Sequence, residues 1–430
     1  MVLWIGIDDT DWGGGGCTTY VGAVIIRRLS RLGFKLIGFP RLIRLNPNCP
    51  FKTRGNAAVA FRVAGGSIRV VMDVVGGAVE ELAGLDAEGT EPAAVLLEGE
   101  PGEVVKRFYW KALHEVIPLD EGFRVAEKVG AKVLRWKKGR GVIGALAAIG
   151  ADLTYKTYEL IAHRRPEYWG TVRQIDEESV YRMDEATRSL TFDNVDYEAG
   201  EVRITPHTPC PVLFGIRGVS PGAVMKAFTM VKVKEPIAMI TVFETNQGTD
   251  VHILPMKISM LRDGVSAMVD GVVVERPRYE AGGHLFFRIS DGTGDLTCAV
   301  YEPTRSLRHV ASKLMPGDEI TVYGSVKLKP QGLTLNVERI HVRRIADIYV
   351  GRPPICPNCG VRMKSLGSFQ GYRCRRCRLR KDVEAIELRR IERGLRPGVY
   401  EVPPSARRHL SRPLILGETT RRPQASSRCF

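Results

Sequence analysis

The sequence predicts a multidomain α+β protein that ends in a small β-barrel and a metal-binding ribbon. Three observations support this prediction: strands alternate with helices over residues 1–257, short strands follow one another over residues 258–348, and two Cys-x2-Cys pairs come next. At 430 residues the chain is too long for one ordinary domain. The expected domains cover residues 1–140, 141–257, 258–348 and 349–382, with a basic helix and tail over 383–430.

The N-terminal segment predicts a strand, a glycine-rich loop and a helix. The apolar run VLWIGI ends in carboxylates, which is typical of a buried strand that enters a loop. After four consecutive glycines, apolar residues recur at helical spacing from Val21 to Leu32, and Gly33 is a natural stop. We expect Thr18 or Thr19 to cap this helix. Farther along, strands are predicted at AAVAFRV and AAVLLEG, and a helix at VAEKVGAKVLRW.

Residues 258–348 predict a small barrel. Five short strands are separated by Gly, Asp or Pro signals, and the helix-like segment SLRHVASKLM lies between the third and the fourth. This order is that of the OB-fold, a partly open barrel that binds oligonucleotides. An SH3-like or other small barrel is the alternative.

Four cysteines predict a structural zinc site. Cys356 and Cys359 form one Cys-x2-Cys pair, Cys374 and Cys377 form another, and 14 residues separate the pairs. Each pair places two thiolates on one side of a tight turn, so that two pairs complete a tetrahedral shell around Zn²⁺. Four thiolates leave no open coordination position, which indicates a structural metal. Two redox-active pairs fit poorly with the surrounding arginines and turn residues.

The net charge of +15 is concentrated at the C-terminal end. From Gly351 to Phe430 there are 19 Lys and Arg against 6 Asp and Glu, a net charge of +13. A basic appendage on a nearly neutral body indicates a nucleic-acid partner, whereas a solvated charged surface is the alternative. The arginines expected to contact nucleic acid are Arg373, Arg375, Arg376, Arg378, Arg380, Arg407 and Arg408.

The expected location is the cytoplasm. No apolar run approaches the roughly 20 residues that span a bilayer, and the N-terminus does not resemble a secretory signal. The five cysteines outside the predicted zinc site are scattered, which suits a reducing compartment. We expect no membrane association, and no obligate protein partner is evident.

The strand-end carboxylates Asp8, Asp9 and Asp11 are candidates for Mg²⁺ and phosphate chemistry. Ligands commonly bind where strands of α/β folds end, and carboxylates there hold Mg²⁺ that bridges nucleotide phosphates. The glycines that follow free backbone N–H groups to face an anion, although no Lys precedes the threonines as in a Walker A motif. An Asx-type capping loop or a solvated turn is the alternative. The loop residues expected at phosphate are Gly15, Gly16, Thr18 and Thr19.

Two further loops combine cations with glycine, a pattern that suits nucleotide phosphates as well as ordinary surface turns. The first precedes the strand AAVAFRV, and the second is KKGRGVIGA. The candidate phosphate-binding residues in these loops are Lys52, Arg54, Gly55, Asn56, Lys138, Arg140 and Gly141.

Two polar segments carry weaker signals. Asp193 and Asp196 in FDNVD are candidates for binding a cationic small molecule, although such a stretch is more often a polar turn. The segment with His207, Thr208 and Cys210 contains side chains that can bind a metal or act as a nucleophile. However, no second ligand or catalytic partner lies at a suitable spacing nearby in the sequence.

Taken in order, these motifs resemble the archaeal tRNA(Ile) 2-agmatinylcytidine synthetases over essentially the whole chain. The resemblance is carried by GIDDTD…CTTY, GFPRLIRLNP…KTRGN, KGRGVIGALAA, FDNVD, TPCPVLFGIRG, the four-cysteine ribbon and VPPSARRHLS. It implies a kinase-like catalytic domain, a ferredoxin-like domain, an OB-fold and a zinc ribbon. It also implies an ATP-dependent ligase that attaches agmatine to the wobble cytidine of the minor isoleucine tRNA (anticodon CAU), so that the anticodon reads AUA.

The resemblance further implies a reaction and its residues. The C2 oxygen of the cytidine is phosphorylated, the amine of agmatine attacks C2 and phosphate leaves, while ATP is cleaved to AMP. Asp8, Asp9 and Asp11 match the family's metal-binding and catalytic acids, and Thr18 matches its autophosphorylated threonine. Asp193 and Asp196 are our hypothesis for the agmatine pocket. The sequence departs from the family's pattern at Trp12 and the glycine run.

Two alternatives stay open at the level of sequence. One is a non-catalytic nucleic-acid-binding protein built from the OB-fold and the ribbon, with the N-terminal half as a scaffold. The other is a related ATP-dependent tRNA modification that uses a different amine.

Overall fold

One large sheet organises the N-terminal half of the chain in the computed structural model, which describes residues 1–52 and 55–417. Apart from a small hairpin of β8 and β9, the strands of this half run in the order β5–β4–β1–β3–β2–β11–β6–β10–β7. The eleven strands described here are β1 (Val2–Asp8), β2 (Lys35–Arg44), β3 (Ala57–Ala64), β4 (Ala93–Glu98), β5 (Lys132–Arg135), β6 (Thr157–Arg164), β7 (Thr191–Phe192), β8 (Val195–Asp196), β9 (Glu201–Val202), β10 (Val212–Gly218) and β11 (Ile237–Thr245).

Helices cover the faces of this sheet. The helix predicted after the glycine-rich loop is present and ends before Gly33, whose φ of 86° stops it. The helix predicted at VAEKVGAKVLRW is only half right, because Gly130, with a φ of 70°, ends it and strand β5 follows. The helices of the described chain are α1 (Thr18–Arg31), α2 (Ile68–Leu82), α3 (Glu103–His114), α4 (Leu119–Lys128), α5 (Val142–Ile149), α6 (Glu177–Ala186), α7 (Pro221–Met230) and α8 (Ser306–Ala311).

The second half of the large sheet has the ferredoxin-like arrangement. Strands β6, β7, β10 and β11 lie in the order β11–β6–β10–β7, with helix α6 between the first two in the chain and α7 between the last two. This is the split βαβ pattern, and the expected ferredoxin-like fold is confirmed. The two halves join through a parallel pairing of β2 with β11. The first two expected domains therefore share a single sheet.

Helix α5 lies at the centre of the N-terminal half. All eight of its residues are buried, as expected for a helix that is apolar on every side. Although it follows the predicted boundary after residue 140, it packs on β1, β3 and β4, which belong to the first part of the sheet. The chain beyond the boundary thus completes the core of the region before it.

Residues 254–344 form the expected OB-fold. Strand β13 pairs with both β14 and β16, β15 runs parallel to β17, and helix α8 lies between β15 and β16 in the chain. This closure confirms the barrel that the strand spacing predicted. The strands are β12 (Leu254–Pro255), β13 (Ser266–Tyr279), β14 (Leu285–Ser290), β15 (Asp295–Val300), β16 (Glu319–Lys329) and β17 (Gly332–Arg344).

The ribbon stands on a two-stranded stalk. Strands β18 (Tyr349–Arg352) and β22 (Glu387–Arg390) form the stalk, and β19 (Lys364–Ser365), β20 (Tyr372–Arg373) and β21 (Arg380–Lys381) form the ribbon. The expected C-terminal helix is wrong: the helix-forming residues of VEAIELRRIERGL contribute one 3₁₀ turn and the strand β22. Pairing with β18 overrides the local propensity.

After the stalk, the chain returns to the body of the protein. Strand β23 (Gly398–Glu401) pairs with β17 of the barrel, and the following residues run back to the N-terminal half, where Leu410 is buried in its core. The predicted tail beyond residue 417 lies outside the described residues. Among the helices described, none is long and apolar enough to cross a bilayer.

Candidate active site and metal centre

A cavity of about 370 Å³ brings together residues that lie far apart in the sequence. Its walls come from the end of β1, the start of α1, the loop between β2 and β3, the start of α5 and the strands β6 and β10. The residues predicted from the sequence that line it are Asp8, Asp9, Asp11, Thr18, Thr19, Lys52, Gly55, Asn56, Arg140 and Gly141.

The carboxylate wall is set by the close approach of α5 to β1. A Cβ added to Gly141 would lie 2.5 Å from the carbonyl oxygen of Asp8, and one added to Gly144 would overlap the Asp8 carboxylate itself. Asp9 has a φ of 62°, and its Oδ2 accepts a hydrogen bond from the Glu91 N–H at 3.0 Å. The glycines of GRGVIGA thus allow α5 to pack closely against the end of β1, where the aspartates lie.

The electrostatics of this wall favour a cation. Burial, reinforced by the charge of Asp9, raises the pKa of Asp8 well above its usual value. Burial likewise raises the pKa of Asp9 to about 6. The donors are all oxygen atoms, which fits Mg²⁺, an ion that commonly uses one or two carboxylates and completes its shell with water and phosphate.

Trp12 explains the glycine run that follows the aspartates. The backbones of Trp12 and Gly15 bond to each other in both directions, at 3.0 and 3.2 Å. The indole covers Gly16, which has a φ of 69°, and also packs on Gly84; a Cβ at either position would overlap the ring. Gly15 and Gly16 are therefore buried under Trp12 and do not line the cavity, so the expectation that they contact phosphate is not supported.

Thr18 and Thr19 lie in the first turn of α1 and face the cavity. The N-cap is Cys17, so the expectation that a threonine caps the helix is wrong. The Thr10 hydroxyl donates to Thr18 Oγ1 at 3.1 Å. Thr19 Oγ1 lies 2.9 Å from Cys17 Sγ and 3.3 Å from Nε2 of His163, whose pKa burial lowers to about 3. The neutral side chain of His163, on β6, therefore holds the Thr19 hydroxyl in position.

The cavity is also lined by cations. Lys52 donates to the Pro47 carbonyl oxygen, and burial lowers its pKa. The Arg140 guanidinium lies 3.8 Å above the Phe51 ring and donates to the Ile117 carbonyl oxygen at 3.2 Å. Of the other predicted cations, Lys138 is exposed and does not line the cavity, and Arg54 lies outside the described residues.

The sequence reasoning missed several polar residues of this cavity. Glu159 on β6 accepts from the Gln247 amide and lies 3.6 Å from Arg217 Nε, and burial lowers the pKa of Arg44. Arg44 stands within the quoted motif RLIRLN, but Glu159 carried no signal of its own. The missed charged residues and histidine that line the cavity are Arg44, Glu115, Glu159, Arg203, Arg217 and His409.

The segment with His207 also lies at the cavity. His207, Thr208 and Cys210 all line it, and His207 Nε2 is 3.1 Å from Arg203 Nη1. Within the described ranges, this segment does not belong to any group of clustered metal-ligand side chains.

The hypothesis for the agmatine pocket is not supported. Asp193 is paired with Arg217 and Arg407, and Asp196 is fully buried and accepts from the backbone N–H groups of Glu198, Ala199 and Ser405. Neither aspartate lines the cavity. Asp193 holds the C-terminal segment through Arg407, and Asp196 holds its own turn and the backbone of Ser405.

The expectation that the two tail arginines contact RNA is not supported either. The Arg407 side chain is only 6% exposed, between Asp193 and Glu401. Arg408 pairs with Glu338 at 2.7 Å and donates to the Asn48 side chain at 3.1 Å. Both arginines are engaged within the protein, because this part of the expected basic tail is packed between the barrel and the large sheet.

The four ribbon cysteines form a zinc-type cluster. Their sulfur atoms all lie within 4.8 Å of one another, and Cys356 Sγ is 3.5 Å from Cys377 Sγ. Tetrahedral coordination with Zn–S bonds of about 2.3 Å places sulfur atoms about 3.8 Å apart, so the cluster fits Zn²⁺. The ribbon arginines that are exposed beside it are Arg375, Arg376, Arg378 and Arg380, whereas Arg373 is half-buried.

Family models and relatives identify the chain. The TiaS TCKD domain matches residues 4–77, the TiaS FLD domain 139–252, an OB-fold nucleic acid binding domain 267–343, and the TiaS C-terminal zinc ribbon domain 353–395. A curated relative from Archaeoglobus fulgidus, the isoleucine tRNA 2-agmatinylcytidine synthetase TiaS, is 47% identical over 416 residues, which cover 96% of this chain and 97% of the relative. The chain belongs to the TiaS family.

Solved structures agree with this assignment. The crystal structure of TiaS in complex with its isoleucine tRNA and ATP matches with a TM-score of 0.90 and 45% identity. That of TiaS in complex with the same tRNA, AMPCPP and agmatine matches with a TM-score of 0.87 and 43% identity. Both similarities cover 98% of this chain and 99% of the matched one.

We predict that the purified protein carries one zinc ion per chain and that Cys374→Ser lowers this content. Loss of one thiolate opens the tetrahedral shell. Zinc is measured by atomic emission on protein purified without added metal. Cys298→Ser, in the core of the barrel, is the matched control and retains zinc. An unchanged zinc content in Cys374→Ser contradicts the assignment.

Proposed function

We propose that this protein is an ATP-dependent ligase that joins agmatine to the wobble cytidine of the minor isoleucine tRNA, forming 2-agmatinylcytidine. The observation that carries the proposal is the family membership of essentially the whole chain. The relatives' complexes contain an isoleucine tRNA, ATP or its analogue, and agmatine. We propose the cytoplasm, where tRNA is found, as the site of action.

The cavity supports ATP chemistry by its opposed charges. Asp8, Asp9 and Asp11 would hold Mg²⁺, which neutralises phosphate charge when bound. Arg44, Lys52 and the other cavity cations are placed to receive the phosphates themselves. Catalysis of phosphoryl transfer depends mostly on such positioning and charge stabilisation. A metal–nucleotide complex requires both kinds of group, carboxylates for the metal and cations for the phosphates.

The proposed reaction has two stages. Phosphorylation of the cytidine C2 oxygen turns a poor leaving group into phosphate. The agmatine amine then attacks C2, a C–N bond forms, the C2–O bond breaks, and the amine gives up its proton. ATP ends as AMP because both the α–β and the β–γ bonds are cleaved: one phosphoryl group passes to the C2 oxygen and leaves as phosphate, and the other is transferred finally to water and also leaves as phosphate. Extruding the base from the anticodon stack costs about a few kcal/mol, which contacts to the rest of the tRNA must offset.

The cationic substrate requires carboxylates inside the cavity. Asp193 and Asp196 are occupied elsewhere, whereas Glu115 and Glu159 line the cavity apart from the aspartate cluster. Glu159 is the more deeply placed of the two, because its side chain is 8% exposed whereas that of Glu115 is 42% exposed. We propose that agmatine binds on the Glu159 side.

The direct test supplies the protein with Mg²⁺, ATP, labelled agmatine and unmodified isoleucine tRNA. The proposal predicts label in the tRNA that depends on ATP. Absence of label contradicts it and favours the non-catalytic binding protein. Label that appears only with another amine favours a different ATP-dependent modification.

A second prediction concerns Thr18, which we propose as the autophosphorylated residue. Thr18→Val keeps the shape but removes the hydroxyl, so that self-phosphorylation and modification should fall by about 100-fold or more. Thr18→Ser is the matched control and should retain both. Transfer of labelled γ-phosphate to protein is followed together with tRNA affinity, which both variants keep. A fully active Thr18→Val refutes the role.

A third prediction concerns the ribbon arginines as tRNA contacts. Within the described chain, none of them forms an ion pair with a carboxylate. Neutralising Arg375, Arg376, Arg378 and Arg380 to Gln should weaken tRNA binding and reduce its salt dependence, by about 0.7–0.9 in slope for each phosphate that the protein no longer neutralises.

The matched control for the ribbon variant is Arg107→Gln with Arg124→Gln, on exposed faces of α3 and α4. Its tRNA affinity and salt slope should stay at the wild-type values. An unchanged slope in the ribbon variant, with its zinc content intact, contradicts the assignment. Substitution is preferable to truncation, because His409, which follows the ribbon in the chain, lines the cavity.

A further inference from the structure

The segment from Val402 to Arg412, called the C-terminal strap below, joins the barrel to the large sheet. The backbone N–H groups of Thr249 and Asp250 donate to the Leu410 carbonyl oxygen at 3.1 and 2.9 Å, and the Leu410 side chain is 2% exposed. The Arg412 N–H donates to the Asp250 carboxylate at 2.7 Å. These contacts fix the backbone on the C-terminal side of His409, which lies between Arg408 and Leu410.

The His409 ring lies at the cavity. The Gly248 N–H donates to the His409 carbonyl oxygen at 2.8 Å, which holds the backbone of the strap in register. The ring lines the cavity, with its Cδ2 atom 3.4 Å from the position that a Cβ on Gly55 would take. Its buried Nδ1 has no hydrogen-bond partner among the described residues. The preceding arginines pair within the protein, but this nitrogen of the imidazole does not.

The surroundings of His409 are cationic. The charge of Arg44, followed by burial and the charges of Arg217 and Lys52, lowers the pKa of His409 well below its usual value. The ring is therefore neutral at physiological pH and carries one N–H donor. A neutral N–H donor at the cavity wall, among three cations that attract an anion, is suited to an anionic oxygen.

We infer that His409 is a ligand-contact residue of the active site, which donates a hydrogen bond to a phosphoryl oxygen of bound ATP. The inference rests on the proposed function, because it takes ATP to be the ligand of this cavity. It assigns the C-terminal strap a part in nucleotide binding, although the strap lies at the opposite end of the sequence from the first carboxylates.

The test measures ATP affinity by calorimetry, with the full-length protein, Mg²⁺ and no tRNA. His409→Met removes the donor and His409→Gln restores one at similar volume. A hydrogen bond to a charged group is strong enough that His409→Met should bind ATP about tenfold or more weakly, with His409→Gln within about threefold of wild type. The melting temperatures of the two variants should agree.

The control is His252→Gln. His252 is another buried histidine with an unpartnered Nδ1 within the described part of the chain, and it does not line the cavity. This variant should bind ATP like the wild type, whatever its melting temperature. A rescue by glutamine but not methionine separates hydrogen bonding from simple packing.

Three outcomes overturn the inference. Wild-type affinity in His409→Met shows that the ring does not contact the nucleotide. Equal weakening in His409→Met and His409→Gln shows that a donor at this position is not what matters. A wild-type protein that binds no ATP removes the proposed function as well, whereas the first two results leave it standing.

Discussion

The contact between helix α5 and strand β1 is the constraint on which the active site depends. Gly6 on the strand and Gly144 on the helix have no room for a Cβ, since one would overlap the Ala145 backbone and the other the Asp8 carboxylate. This close approach brings an all-apolar helix against the end of β1 and leaves Asp8 half-buried. Partial burial of like charges at one strand end is unfavourable without a cation, so the packing that stabilises the core also makes this wall of the cavity favourable for a cation.

Closing the cavity requires three distant parts of the chain. The parallel pairing of β2 with β11 joins the kinase-like half to the ferredoxin-like half, so that Glu159 and Arg217 face the aspartates. The C-terminal strap then adds His409 from the opposite end of the sequence. The barrel is joined to this centre by the same strap, through the ion pair of Arg408 with Glu338. The barrel, the strap and the walls of the cavity therefore form one continuous framework.

Local pattern was enough to predict the elements whose chemistry is local. The cysteine spacing predicted the ribbon, the strand spacing predicted the barrel, and the strand-end aspartates with Thr18 predicted one wall of the cavity. The roles of Glu159 and Arg407 could not be predicted from local pattern, because each depends on a partner far away in the sequence. Arg407, for example, pairs with Asp193, which lies 214 positions earlier. The prediction of a C-terminal helix was wrong for the same reason, since pairing with strand β18 overrides the helix propensity of these residues.

The most direct measurement is agmatine incorporation by Gly144→Ala. A methyl group there collides with the Asp8 carboxylate, whereas Gly76, on α2, has no atom within 4 Å of an added Cβ. The account predicts that Gly144→Ala loses activity by about tenfold or more, since misplacing a catalytic group is costly, and that it still binds tRNA through the barrel and ribbon. Gly76→Ala should remain active. If Gly144→Ala modifies tRNA as fast as Gly76→Ala, the helix–strand contact does not hold the catalytic carboxylate and the account is contradicted.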